Sequence, residues 1–309
     1  MLFLAVKLLL ANLLWKRREN KGMKPFVLIT DSGSDLSLAM AAEYGVEIVF
    51  LGAELDGEAV DTQNLEGIKT FYDGMREGKE TKTFAVNAEQ LCDVFKKAIC
   101  EGKDVLYLGF TSALSGTYAA SLIAKDMVHE TYPDARIECF DTKCASLGQG
   151  LAVYYAAMMK QSGATIDEIL LFLTDFAPKI CQRFTVDDLV YLKRGGRVSA
   201  TTALVGTLLS IKPILHVSDE GKLVSLRKAR GRKAAVQGLF DDIKSLSVNP
   251  QEHTVFISHA DCFDDAKALA DMIEKEFSPK KIVIGDIGPV IGAHSGPGTL
   301  ALFFYGSAR

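Results

Sequence analysis

Phe26-Val27-Leu28-Ile29-Thr30-Asp31-Ser32-Gly33-Ser34 is the stretch whose reading decides the fold. An apolar run ends in a polar, glycine-bearing loop, and helical spacing then begins over Leu36 to Glu43, which together make one βα unit. The same alternation recurs downstream. Strands are expected at Val46 to Leu51, Val105 to Phe110 and Arg136 to Phe140, with helices over Leu65 to Glu77, Ala88 to Cys100 and Gly116 to Val128. Stacked units of this kind build a largely parallel sheet. After a long helix, Leu147 to Gln161, the break Ser162-Gly163-Ala164 leads into another helix, Thr165 to Phe176, with Asp167 and Glu168 in its first turn.

The chain then changes character. A helix over Val186 to Lys193, the pair Gly195-Gly196 and an apolar helix around Ala203 to Ser210 precede a hairpin. Its strands, Pro213 to Val217 and Lys222 to Leu226, turn at Ser218-Asp219-Glu220-Gly221. A further β-α-β follows in Thr254 to Ser258, Asp264 to Phe277 and Lys281 to Gly285, before a last apolar run, Leu300 to Tyr305. The fold class is therefore α/β with two domains. Residues 23–164 form an N-terminal domain on a largely parallel sheet, and residues 165–309 form a C-terminal α+β domain with a mixed or antiparallel sheet.

A length of 309 residues exceeds what one hydrophobic core usually supports. Lys and Arg number 35 against 39 Asp and Glu, so no global positive field gathers nucleic acid, which is excluded as a partner. The six cysteines are scattered without a C-x-x-C pair and read as reduced, cytoplasmic thiols, Cys144 included. Leu2 to Trp15 is nearly all apolar, with Lys16, Arg17 and Arg18 behind it. That run is too short to span a bilayer, and its charge follows the apolar stretch instead of preceding it as in a secretory signal. Two readings remain for residues 1–22: an extension ahead of a start at Met23, or a surface helix whose membrane contact is at most transient. The first is favoured.

Ligands of open α/β sheets bind beyond the carboxyl ends of the strands. Three such ends carry hydroxyl and acidic residues: Asp31-Ser32-Gly33-Ser34, Thr111-Ser112-Ala113-Leu114-Ser115-Gly116, and Asp141-Thr142. Each leads into a helix N-terminus, where free N–H groups favour an anion. Capping is the better reading of any one of Ser34, Ser115 or Asp141 alone. Three together mark a site. No phosphate loop, dinucleotide fingerprint, H-E-x-x-H or G-x-S-x-G occurs, so a cofactor of the chain's own has no support. In the loop Ile287 to Thr299, four glycines and two prolines surround His294, which is thereby held in place and not left mobile.

Four motifs, taken together, resemble the DegV family. They are Ile29-Thr30-Asp31-Ser32 with Asp35-Leu36, Thr111-Ser112 with Leu114-Ser115-Gly116-Thr117-Tyr118, Tyr191-Leu192-Lys193-Arg194-Gly195-Gly196-Arg197, and Ile291-Gly292-Ala293-His294-Ser295-Gly296-Pro297-Gly298. The resemblance runs from about Met23 to the C-terminus. It implies one long-chain fatty acid held between the two domains, no other cofactor, and presentation of the carboxylate to a separate fatty acid kinase for acyl phosphate formation. It also implies that the chain is a lipid carrier and not itself an enzyme. Carried over residue by residue, the carboxylate ligands are Thr83, Ser115 and His294. Around Thr83 the chain departs from the family pattern, with Phe84 and Val86 in place of a serine and a proline. Asp31, Ser32, Thr111, Ser112, Gly116 and Gly292 are the supporting residues, and Asn87 offers a further polar contact.

Elementary chemistry is consistent with this assignment. A buried carboxylate is costly unless donors satisfy it, and two hydroxyls with an imidazole can do so. Each buried methylene of the tail adds roughly 0.8 kcal/mol. Ala203, Leu204, Val205, Leu208, Leu209 and Ile211 are candidate tunnel walls, with plain core packing an equal alternative. The cationic run Arg227, Lys228, Arg230, Arg232 and Lys233, joined by Arg194 and Arg197, would steer a nucleotide-loaded partner. Two other readings compete. One is a stand-alone hydrolase or phosphotransferase with Asp31 or Ser115 as nucleophile and His294 as base; the other is a lipid-responsive regulator.

Overall fold

The computed structural model describes residues 24–198 and 211–309. The proposed extension 1–22 and the apolar helix around Ala203 to Ser210, with its candidate wall residues, lie outside the described residues. The chain opens with β1 (Phe26–Asp31), α1 (Leu38–Tyr44), β2 (Val46–Val49), β3 (Gly52–Leu55) and β4 (Glu58–Val60). Next come α2 (Ile68–Arg76), β5 (Thr81–Phe84), α3 (Ala88–Cys100), β6 (Asp104–Gly109), α4 (Thr117–Thr131), β7 (Ile137–Asp141) and α5 (Leu147–Gln161). The later half runs α6 (Ile166–Phe176), β8 (Ile180–Thr185), α7 (Val190–Arg194), β9 (Ile211–Val217), β10 (Leu223–Arg230) and α8 (Arg232–Leu246). It ends with β11 (Thr254–His259), α9 (Phe263–Phe277), β12 (Lys281–Asp286), α10 (Pro289–Ser295) and β13 (Leu300–Tyr305).

The first sheet is parallel throughout, in the order β2-β1-β6-β7. The second has the order β10-β9-β8-β13-β11-β12 and is mixed, parallel only between β11 and β12. Both sheets match the expected α/β class. Helix α5 is buried along most of its length and packs on both of them. One continuous core joins Leu28, Leu106 and Leu108 of the first sheet to Phe184, Phe256 and Phe303 of the second through Leu147, Leu151 and Val153. Each of these large side chains contributes roughly 1.5–3 kcal/mol by leaving water.

Several elements depart from the sequence expectation. A small antiparallel sheet, β4-β3-β5, was not anticipated, although Asp56-Gly57, both at positive φ, makes the tight turn that joins β3 to β4. The segment Ile287 to Thr299, a loop by its glycines and prolines, is helical over Pro289–Ser295. Proline suits a first helical turn because its missing N–H would have had no partner there, and Gly296, at φ 82, ends the helix. The cationic run, expected after the hairpin, begins inside it: Arg227, Lys228 and Arg230 lie within β10, an edge strand. Exposed positive side chains there discourage edge-to-edge pairing. No described helix is long and apolar enough to cross a membrane.

Candidate functional site

A cavity partly open to solvent lies where the small sheet, α10 and the second sheet converge. Thr83, Ser115, His294 and Arg197 are among its polar lining residues. Its apolar walls include Leu51, Phe110, Phe184, Val290, Ile291 and Phe303. Strand β13 shows how register sorts side chains: Ala301 and Phe303 face the cavity, while Leu300, Leu302 and Phe304 join the core on the other face of the sheet.

Helix α10 carries His294 and is fastened from several directions. Tyr72 OH donates to Ile287 O at 2.6 Å, and Gly288 N–H donates to Asp35 Oδ1 at 2.9 Å. Thr81 Oγ1 donates to Ala293 O at 3.0 Å, which lays β5 along the helix and brings Thr83 to the imidazole. Thr83 Oγ1 and His294 Nε2 are hydrogen-bonded at 2.7 Å. Gly292 permits the close packing, since a Cβ there would lie 2.3 Å from the Tyr72 hydroxyl. Ser115 reaches the same cavity from the turn before α4, where its Oγ accepts from Thr117 N–H at 3.2 Å. It therefore caps locally and lines the site at once.

Burial, and secondarily the Arg197 charge, press the His294 pKa down to about 4. The unfolded chain takes up this proton near 6.5, so between about 6.5 and 4 the unfolded state binds more protons than the folded one. Stability of the ligand-free protein should consequently fall as pH drops through that window. Urea titrations of wild type and His294→Gln at several pH values check this. If the ring is the cause, the variant loses less stability on acidification; equal losses would assign the effect to other groups.

The supporting residues divide. Gly116 lines the cavity. Asp31 lies behind it, fully buried, accepting from Gly33 N–H (3.0 Å), Tyr107 OH (2.6 Å) and Phe110 N–H (2.9 Å). Ser32 Oγ accepts from Leu51 N–H at 3.0 Å, and Thr111 Oγ1 donates to Gly221 O at 3.1 Å. Ser112 Oγ accepts from Lys143 Nζ at 2.7 Å. These four shape the strand ends that carry the site. Asn87 caps α3 with Gln90, and Ile211 opens β9 opposite Arg230; neither is among the described lining residues.

The cations also divide. Arg227 pairs with Asp242 at 2.9 Å and Arg232 with Asp265 at 2.8 Å, so both are engaged internally. Lys228, Arg230, Lys233 and Arg194 are exposed, with Arg194 beside the Tyr191 ring. Arg197, grouped with them from sequence, belongs to the cavity wall and donates from Nε to Leu114 O at 3.3 Å. Among the described lining residues it carries the one permanent charge, which favours an anion. Cys144 is fully buried with its thiol pushed up to about 11, as suits an inert side chain.

The DegV family profile, described as a family of uncharacterised proteins, matches residues 25–307. The chain belongs to the DegV family. A DegV domain-containing protein of Clostridium perfringens is 47% identical over 289 residues, covering 93% of this chain and 99% of that relative. Among solved structures, a DegV lipid binding protein from Thermotoga maritima is 30% identical with a TM-score of 0.82, covering 92% of this chain and 99% of its own. A fatty-acid-binding DegV family protein from Thermus thermophilus is 28% identical with a TM-score of 0.83, covering 92% of this DegV chain and all (100%) of its own.

Proposed function

We propose that this DegV chain holds one long-chain fatty acid between its two parts, 23–164 and 165–309, with the carboxylate at Thr83, Ser115 and His294. The observation that carries the proposal is the make-up of the cavity lining, mostly apolar, with the hydroxyls of Thr83 and Ser115, the His294 imidazole and the Arg197 guanidinium among it and Thr83 and His294 in contact at 2.7 Å. Lipid and fatty acid binding in the Thermotoga maritima and Thermus thermophilus relatives supports the same reading. Mass spectrometry of the freshly purified, denatured protein is the test. A stoichiometric fatty acid is expected; a protein that carries none, and takes up none when offered it, overturns the proposal.

The bound carboxylate is then presented to a separate, nucleotide-binding fatty acid kinase in the cytoplasm. An ionised carboxylate needs no general base to attack a phosphoryl donor, only positioning and charge compensation. The hydrolase alternative draws no support from the geometry. His294 is bonded to Thr83, Ser115 to Thr117, and Asp31 is enclosed by three donors away from the cavity.

Docking would fall to the cations without internal ion pairs in the described structure, Lys228, Arg230 and Lys233, more than to Arg227 and Arg232. Reversing Lys228 and Arg230 to glutamate is expected to slow kinase-dependent acyl phosphate formation and flatten its salt dependence, with lipid stoichiometry unchanged. Phosphorylation rate against ionic strength measures this. A variant that keeps both rate and salt response would place docking elsewhere.

A further inference from the structure

Gly195 has no backbone reason to be glycine. Its φ of −72 and ψ of −10 are ordinary for any L residue. What excludes a side chain is the His294 ring: a Cβ at Gly195 would lie 2.2 Å from Nδ1 and 3.1 Å from Cε1. That edge of the imidazole is therefore packed against main chain. Nδ1 is buried and has no hydrogen-bond partner among the described residues, while Nε2 meets Thr83.

We propose that the Gly195–Arg197 loop fixes the tautomer of His294, placing the proton on Nε2, so that the ring donates to Thr83 Oγ1 and the Thr83 hydroxyl proton is left for the ligand. Gly195 is then a positioning residue for carboxylate capture, and the inference rests on the fatty-acid reading given above. A neutral imidazole has one N–H and one lone-pair nitrogen. An N–H on Nδ1 would be a buried donor with no acceptor, and such orphans are rarer than unpaired acceptors. Arg197 acts in the same sense. Its Nη1 donates to the carbonyl of Gly195 itself, which brings a positive charge to the side of the ring where a proton would otherwise sit. The fall of the ring's pKa to about 4, from burial and then this charge, keeps it neutral near pH 7.

The consequence is a directional relay, His294 Nε2–H to Thr83 O–H to ligand oxygen. A hydroxyl that accepts one hydrogen bond donates a stronger one. The imidazole thus works through Thr83 and not by direct contact.

The test uses the full-length protein labelled with nitrogen-15 histidine, stripped of lipid and then titrated with stearate. The wild-type ring should give the signature of the Nε2–H tautomer near neutral pH. Gly195→Ala should displace the ring, mix or reverse the tautomers, and weaken stearate binding by about tenfold, equivalent to ~1.4 kcal/mol. Gly196→Ala, which alters the same loop at a φ of +70 but meets nothing within 4 Å, should leave the tautomer in place. An Nδ1–H tautomer in the wild type overturns the proposal, and that result needs no variant to fold. So does a Gly195→Ala protein whose tautomer and stearate affinity both match wild type. A wild type that takes up no stearate overturns the fatty-acid reading instead, and the tautomer measurement still stands by itself.

Discussion

Alanine at Ser115 or at His294 is expected to weaken fatty acid capture by roughly 1.5–3 kcal/mol each, because the first removes a hydroxyl that satisfies a desolvated carboxylate and the second removes the ring that orients the Thr83 hydroxyl toward it. In binding terms that is about ten- to a hundredfold. The two positions should differ in how they combine with Thr83→Val. Thr83 and His294 share a hydrogen bond of 2.7 Å, so the pair Thr83→Val with His294→Ala should cost less than the sum of its parts. Ser115 has its polar contacts with Thr117, so Ser115→Ala with Thr83→Val should come closer to additive. Calorimetric titration of stripped protein with one fatty acid measures all of these. Affinity unchanged in both single alanine variants would remove the carboxylate site from these residues.

Asp31→Ala should act on the fold and not on the ligand. The carboxyl is fully buried and accepts from three donors, and truncation strands Tyr107 OH and the N–H groups of Gly33 and Phe110. At about 1–3 kcal/mol for each buried group left unpaired, a loss of roughly 3 kcal/mol or more is expected. Urea unfolding should show a lower midpoint with an unchanged slope. Burial outweighs those hydrogen bonds and raises the Asp31 pKa above its ordinary 3.8. The folded state therefore holds this proton more tightly than the unfolded chain, so its stabilising contribution is present below 3.8 and is lost as pH climbs through the raised value. Should Asp31→Ala retain wild-type stability but lose its lipid, Asp31 would be a ligand contact after all.

Regular periodicity made part of this architecture legible. The bounds of Leu147–Gln161 and Ala88–Cys100 are legible because their apolar spacing and flanking signals agree, and the apolar run Leu300–Tyr305 proves to be a strand covered on both faces. Strand β8 was missed for the opposite reason. Gln182 and Arg183 interrupt its apolar pattern, yet both are buried: Gln182 accepts from Ala145 N–H at 3.0 Å, and Arg183 lies 3.8 Å from Asp242. Sequence shows no sign of partners that distant. Helix α8 went unread because a run of cations opens it. At the site, Ser115 and His294 stood in motifs, whereas the contact of Thr83 with His294 spans 211 positions and depends on an unanticipated sheet. The place of Arg197 in the wall, and the reason for Gly195 beside it, emerge only when α10 is set against the turn after α7.

Helix α5 belongs to both sheets at once, and this governs how the molecule comes apart. Peeling the first sheet from the second would leave Leu147, Leu151 and Val153 facing water on one side or the other, whichever sheet kept the helix. Neither sheet gains a stable existence by such a separation, so heating should disrupt both in one cooperative event. A cargo held between them, as proposed, should therefore leave without the sheets parting, with a residence time set apart from the lifetime of the fold.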